Sequence, residues 1–257
     1  MNYRKFNTEQ GHWILARMGK KVLRPGGRKL TDQLLEELRI SREDKVVEFA
    51  PGMGFTAFQT LKRNPRSYTG IELNEEAAQK LKKTLSGKNR SVRNSSAADT
   101  GLDSATYDKV YGEAMLTMQA DHRKSEIIRE AFRILKRGGL YGIHELGLQP
   151  DQLDSATKGK IQRELAQVIR VNARPLTRNE WCLLLENEGF TIRKVYQSPM
   201  HLLKPRRILS DEGLLRTIRI AFNILTHPGA RKRIRKMREI FLKHEKAMAA
   251  FAIIAEK

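Results

Sequence analysis

Val46-Val47-Glu48-Phe49-Ala50-Pro51-Gly52-Met53-Gly54 is the stretch on which the reading of this chain turns. Val46, Val47 and Phe49 supply the β-branched and aromatic content of a buried strand. Pro51 ends the strand because it has no N–H to give a ladder, and Gly52 and Gly54 permit a tight turn. Phe55 to Lys62 can then start a helix. The bare glycines let a ligand approach the backbone, and the helix start beyond them offers unpaired N–H groups. An ordinary strand–turn–helix has the same pattern, and Gly52-x-Gly54-x-x-Ala57 also fits a dinucleotide site.

Two carboxylates narrow the choice. Glu48 lies on the strand, and Glu72 closes the next one, Tyr68-Thr69-Gly70-Ile71-Glu72, eighteen residues after Gly54. An acid in that second position can accept both hydroxyls of a ribose. Glu48-x-x-Pro51-Gly52-x-Gly54 followed by Gly70-Ile71-Glu72 resembles the first two motifs of the class I S-adenosylmethionine-dependent methyltransferases. Dinucleotide enzymes usually set their first glycine directly after the strand, without an acid like Glu48, so the sulfonium cofactor is favoured. The resemblance implies an α/β fold: a doubly wound, Rossmann-like sheet of seven strands with the last antiparallel. It implies S-adenosylmethionine as cofactor, held by Glu48, Gly52, Gly54, Glu72 and Leu73. It covers roughly residues 41–198 and 247–257 of a single domain spanning 1–257. Residues 1–40 are left as N-terminal helices or a lid, and 199–246 as a basic helical cap inserted before the last strand.

The composition sets wider bounds. The 257 residues suit one decorated domain, and a 40% apolar share is enough for a real core. Forty-nine Lys and Arg against 29 Asp and Glu give a formal charge of +20, a surface that attracts nucleic acid, anionic lipid or acidic small molecules. A solvated basic surface without a partner has the same composition. No apolar run approaches the ~20 residues of a membrane helix. The longest, Ala247 to Ala255, is nine residues and reads as a buried strand. No apolar signal-peptide core follows the N-terminus, so a cytoplasmic location is expected. The single cysteine, Cys182, excludes an intrachain disulfide and a cysteine-rich zinc site. It is expected to be a small core residue, and no metal site is expected.

Residues 1–23 are expected to be mostly helical, with Phe6, Trp13, Ile14, Met18 and Val22 on one apolar side. Tyr3, His12 and Trp13 are candidates for a lid, with core packing as the alternative. Arg24-Pro25-Gly26-Gly27 breaks the pattern, and Leu30, Leu34, Leu35 and Leu38 mark the next helix. The resemblance implies that Arg24 borders the methionine end of the cofactor, where it could pair with the carboxylate; a surface arginine is the alternative. Beyond Glu72, Asn74 is a good N-cap and Glu75 and Glu76 suit the helix dipole. The family usually has Asp-Ala after the third strand to read the adenine edge. Ser96-Ala97 stands there, with Asp99 three residues on. Either Ser96 substitutes or Asp99 supplies the carboxylate, with the Ala97 N–H serving in both cases.

Tyr107 to Met115 resembles the fourth motif, and Glu113 is the acid closest to the expected reaction centre, as a cofactor or proton contact or as a structural cap. Leu135-Lys136-Arg137-Gly138-Gly139-Leu140 resembles the turn before the fifth strand, Leu140 to Glu145. His144 and Glu145 end that strand, where open α/β sheets hold their ligands, so they join Glu113 as candidate proton acceptors. Helical spacing marks 151–171, and Thr177-Arg178-Asn179-Glu180 is a capping box before a helix through Trp181. Phe190 to Val195 is the sixth strand.

Lys204 to Lys246 holds thirteen Lys and Arg against four acids. Leu214, Leu215, Ile218, Ala221, Phe222 and Leu225 make one helical stripe, and Ile234, Met237 and Phe241 another. Two basic helices capping the cofactor site are expected. Their basic faces are either merely solvated or a patch for an acidic substrate or an anionic membrane surface.

The reaction that follows is methyl transfer to a nucleophilic oxygen, nitrogen or carbon of a small-molecule acceptor, acidic or membrane-associated on the evidence of charge. Nucleic-acid methylation, supported by charge alone, ranks below it. A cofactor-binding protein without chemistry is the other alternative.

Overall fold

Helices and strands alternate along the chain in a computed structural model that describes residues 10–257. Tyr3 and Phe6 lie outside the described residues. The order is α1 (Gly11–Arg17), α2 (Gly27–Glu37), β1 (Lys45–Phe49), α3 (Phe55–Leu61), β2 (Ser67–Ile71), α4 (Glu75–Thr84), β3 (Arg90–Arg93) and β4 (Tyr107–Glu113). Then come α5 (Asp121–Ile134), β5 (Leu135–Leu148), α6 (Ser155–Ile169), β6 (Leu176–Thr177), α7 (Arg178–Asn187) and β7 (Thr191–Pro199). Helices α8 (Pro205–Glu212), α9 (Leu214–Thr226) and α10 (Pro228–Lys243) precede β8 (Met248–Glu256).

The main sheet runs β3-β2-β1-β4-β5-β8-β7, with β8 antiparallel to both its neighbours. This is the doubly wound sheet with an antiparallel last strand expected above, with one correction. An eighth strand, β6, adds two residues to β5 in parallel, Gly147 opposite Leu176 and Leu148 opposite Thr177. Two residues are too few to show any periodicity in sequence.

Alternation along β1 divides the core between the faces of the sheet. Val47 and Phe49 pack with Ile127, Ile128 and Ala131 of α5 and Trp181 and Leu185 of α7. Val46 packs on the other side with Leu30, Leu34, Leu35 and Leu38, all fully buried, as the α2 pattern requires. Two caps read from sequence are present as local side chain to backbone bonds. Asn74 accepts the Ala77 N–H at the start of α4, and Thr177 and Glu180 form a reciprocal capping box at α7.

The N-terminal segment and the insertion depart from expectation. Helix covers only 11–17 of the described N-terminal residues, and the chain from Met18 to Arg24 runs without it. The insertion makes three helices, not two, because Gly213, at φ +77°, breaks the run between α8 and α9. Ile234, Met237 and Phe241 of α10 are buried against Ile14 and Leu15 of α1 and Ile161 and Leu165 of α6. The stripe on α9 is not buried: Leu215 is 84% exposed and Phe222 64%, while Ile220 on the opposite side is buried.

Candidate active site

A cavity of about 280 Å³ lies where the C-terminal ends of β1, β2 and β4 meet α1 and the segment after it. That is where open α/β sheets hold their ligands. From the strand side its wall includes Glu48, Gly52, Glu72 and Glu113, and from the N-terminal side His12, Trp13, Lys21 and Arg24.

Glu48 is 3% exposed. Its Oε2 accepts the Tyr68 hydroxyl at 2.6 Å and the Tyr111 hydroxyl at 2.7 Å. Among the described residues its Oε1 has no hydrogen bond. Both tyrosines come from strands that pair with β1, and Gly70 makes room for one of them. A Cβ at Gly70 would lie 3.3 Å from the Tyr68 hydroxyl and 3.2 Å from the Pro51 ring. Burial pushes the Glu48 carboxyl up to about 7, against the opposing pull of the two tyrosine hydrogen bonds.

Glu72 is also buried. Its Oε2 accepts the Gly52 N–H and its Oε1 the Asn74 N–H, each at 2.9 Å. Each oxygen keeps a further lone pair. Burial raises its pKa, opposed by those backbone donors. Asn94 reaches across from the loop after β3, donating to the Glu72 and Leu73 carbonyls. Gly52, at φ +56°, has only the Ala50 carbonyl within 4 Å of a Cβ built on it, so the space beside it is open. Gly54 serves differently. It is off the cavity wall, at φ +77° it begins α3, and a Cβ there would strike the Leu81 side chain at 2.8 Å.

Glu113 sits at the wall in a dense set of donors. Arg24 pairs with its Oε2, Thr56 donates to the same oxygen, and Thr31 donates to Oε1 at 2.6 Å. His144 Nδ1 stands 2.8 Å from Oε1. Burial alone would raise this carboxyl, but the Arg24 charge and the hydrogen bonds from His144 and Thr31 outweigh it and hold it at about 2. A carboxylate held so low, with both oxygens occupied, is a poor proton acceptor.

His144 and Glu145 do not reach the cavity wall. His144 is fully buried, with Nε2 on the Pro25 carbonyl, so the ring ties β5 to the turn before α2. Glu145 accepts the N–H groups of Met115, Leu116 and Thr117 at 2.8–3.0 Å and the Thr117 hydroxyl at 2.7 Å. It thereby shapes the single-turn helix Leu116–Met118, and Met115 and Met118 line the cavity. The sequence ended this strand at Glu145, but β5 runs on to Leu148, so both residues lie within the strand and off the cavity wall. Alternation along β5 and the turn after β4 decide which way they point.

Leu73, Ser96 and Ala97 are off the cavity wall as well. Leu73 is 72% exposed, and the Ser96 hydroxyl accepts from Arg123 Nη2 at 2.9 Å. Asp99 donates its N–H to the Ser96 carbonyl and is exposed. Sequence reading missed Thr31, Thr56, Tyr68 and Tyr111, which orient the acids. The tyrosines carried no signal that set them apart, since β2 and β4 hold other hydroxyl and charged residues.

His12 and Trp13 line the cavity, as a lid would, with ring centroids 5.0 Å apart. Burial lowers the His12 pKa to about 4, so the imidazole is neutral at neutral pH. Arg24 is buried over the Phe55 ring, and its Nε has no hydrogen-bond partner among the described residues. The Arg24 cation, the carboxylate acceptors of Glu48 and Glu72 and the bare Gly52 line the same cavity and fit a ligand that carries a carboxylate, an ammonium group and a ribose.

Comparison with known proteins bears on that fit. Residues 46–139 match the sequence model of the methyltransferase domain family. An uncharacterised protein of Haemophilus influenzae is 32% identical over 253 residues, covering 97% of this chain and 98% of its own. Among solved structures, a protein assigned as a sarcosine dimethylglycine methyltransferase from Galdieria sulphuraria superposes with a TM-score of 0.74. It is 12% identical and covers 96% of this chain and 98% of its own. A Haemonchus contortus phosphoethanolamine N-methyltransferase 2 in complex with S-adenosylmethionine superposes at 0.73, with 14% identity, over 100% of this chain and 60% of its own. The structural likeness establishes the sheet, and the sequence match falls on the glycine turn and the three acids of the cavity wall. That match identifies residues 46–139 as a methyltransferase domain, carried on the fold of the S-adenosylmethionine-dependent methyltransferases.

Proposed function

We propose that this methyltransferase acts on a small-molecule acceptor through an oxygen, nitrogen or carbon nucleophile. The observation that carries the reading is the cavity itself. Two buried acids with unspent acceptor capacity and an arginine with an orphaned N–H share its wall with an aromatic pair and a lysine from the N-terminal segment. The first group suits the cofactor and the second an acceptor. The two relatives named for sarcosine and phosphoethanolamine carry small molecules in their names, which supports the class and not a compound.

In this reading Glu72 accepts the ribose hydroxyls and the open face of Gly52 lets the cofactor lie against the backbone. Glu48 Oε1 faces the ammonium group, and Arg24 turns its free N–H to the carboxylate. The adenine lies beyond Glu72, between Leu73 and the Ser96–Ala97 turn, two loops that Asn94 holds together. The cofactor supplies an electrophilic methyl group on a sulfonium.

The chain's own part is alignment, which is worth up to ~7–11 kcal/mol in favourable systems. Glu113 holds Arg24 in place and does not take a proton. Any proton on the nucleophile leaves to solvent, because His12, held at about 4 by burial, binds a proton only weakly. Lys21, exposed at the cavity, favours an acceptor with negative charge.

Transfer of isotopically labelled methyl into a metabolite extract tests this directly, with a labelled small molecule expected. Label appearing only in added RNA, with binding that falls steeply with salt, would replace the acceptor class. Glu72→Ala should weaken cofactor binding by roughly 1.5–3 kcal/mol for each charge-assisted hydrogen bond lost. Calorimetry showing an unchanged affinity would remove Glu72 from the ribose.

A further inference from the structure

Among the described residues nothing covers the stripe on α9. Leu214, Leu215, Ile218, Phe222 and Leu225 recur at three- and four-residue intervals and are all exposed, so they form one continuous apolar band. The helix is held by its other face: Ile220 is buried, and Asn223 donates to the Met18 carbonyl at 3.0 Å. A band five residues long is more than the scattered apolar exposure of an ordinary surface.

The charge around it is one-sided. The insertion carries thirteen Lys and Arg and four acids. Two of those acids are spent inward: Glu212 accepts the N–H groups of Lys21 and Val22, and Asp211 accepts that of Arg28. Glu245 pairs with Lys204. That leaves Glu239 as the exposed acid among Arg231, Lys232, Arg235, Lys236 and Arg238 on α10, while Arg219 flanks the band on α9 itself. An apolar band bordered by cations, on a helix that cannot span a bilayer, matches the chemistry of an anionic lipid–water interface.

We propose that α9 lies in the surface of an anionic membrane, with its apolar band among the acyl chains and the basic residues of α9 and α10 on the headgroups. The docking surface is coupled to the active-site cavity through the segment from Met18 to Arg24. That segment contributes Lys21, Leu23 and Arg24 to the cavity wall and is bonded to α8 and α9 by Glu212 and Asn223. Seating α9 therefore fixes the N-terminal side of the cavity beside the bilayer, where an acceptor dissolved in lipid can reach it. The docking surface stands whether or not the acceptor class proposed above is right.

Cosedimentation of the full chain with phosphatidylcholine vesicles, with and without phosphatidylserine, tests the proposal. Binding is expected only with the anionic lipid and should weaken as salt rises. Leu215→Ser with Phe222→Ser should lower the partition roughly tenfold or more, and so should Arg231→Ala with Lys232→Ala and Arg235→Ala. Both variants should keep the wild-type affinity for S-adenosylmethionine, which also reports that they are folded. Three results would overturn the proposal. The wild type could stay in the supernatant, or both variants could partition as the wild type does. Sedimentation without lipid could also show a dimer that Leu215→Ser with Phe222→Ser dissolves, which would make a second copy of this chain the cover of the band.

Discussion

At Glu48 the carboxylate has two tyrosine hydroxyls on one oxygen and the cavity on the other side. Its pKa in the folded chain, about 7, is above the ordinary carboxylate value of 4.5. The folded state therefore holds this proton more tightly than the unfolded state. The stability it confers is full below pH 4.5 and is lost as pH rises through 7, on the order of 3 kcal/mol in total. Glu48→Gln keeps an oxygen for the two tyrosines and carries no charge. It should raise the melting temperature of the cofactor-free protein at pH 8 and change it little near pH 5. Cofactor binding has the opposite dependence, because an ammonium group and a sulfonium favour the ionised acid. Wild-type affinity should rise between pH 6 and 7.5, and Glu48→Gln should bind more weakly and without that slope. Calorimetry at several pH values checks this, and a slope retained in the variant would mean another group titrates.

At the scale of elements, the paired strands β4 and β5 show how neighbouring acids divide between the cavity and support. Glu113 faces the cavity, yet four neighbours hold it as an anion. Glu145, on β5, anchors the Leu116–Met118 turn that brings Met115 and Met118 to the wall. Glu145→Ala should unpair three buried N–H groups, each costing ~1–3 kcal/mol. The expected result is a large fall in thermal stability with near-normal turnover per folded molecule at low temperature. Lost turnover with unchanged melting would instead return Glu145 to the chemistry. The end of β4 at Glu113 was legible, but β5 runs three residues past the Glu145 at which the sequence reading closed it. The direction of each side chain was not legible, because it depends on the turn that follows and on pairing between strands far apart in sequence.

Across the whole molecule, the basic insertion does not line the active-site cavity, as a cap over the cofactor would. It stands one layer out, packing α10 on α1 and α6 and holding the segment from Met18 to Arg24 through Glu212. The Lys20 side chain is buried against Glu212, with Nζ 3.8 Å from Oε1, and burial lowers its pKa despite that carboxylate. Glu212→Ala would leave a buried cation without its counter-charge, a change that costs ~3–5 kcal/mol where it has been measured. Chemical denaturation should show that loss, and amide exchange should quicken at Lys21 and Val22 before the sheet is affected. Unchanged exchange there would mean that α8 does not hold the segment.

Sequence alone determined the order of strands and helices apart from β6 and the third helix of the insertion, together with the glycine turn, the two acids at the ends of β1 and β2, and the caps of α4 and α7. Each of these is a local pattern set by strand or helix periodicity, turn conformation or a side chain bonding its own backbone neighbours. Only tertiary structure decided that Glu113 is tied up by Arg24, Thr31, Thr56 and His144, that Glu145 faces a turn, and that the α9 stripe meets solvent. Those outcomes depend on what packs against a residue from elsewhere in the chain. An apolar helical stripe has the same spacing whether a core, a membrane or water lies beside it.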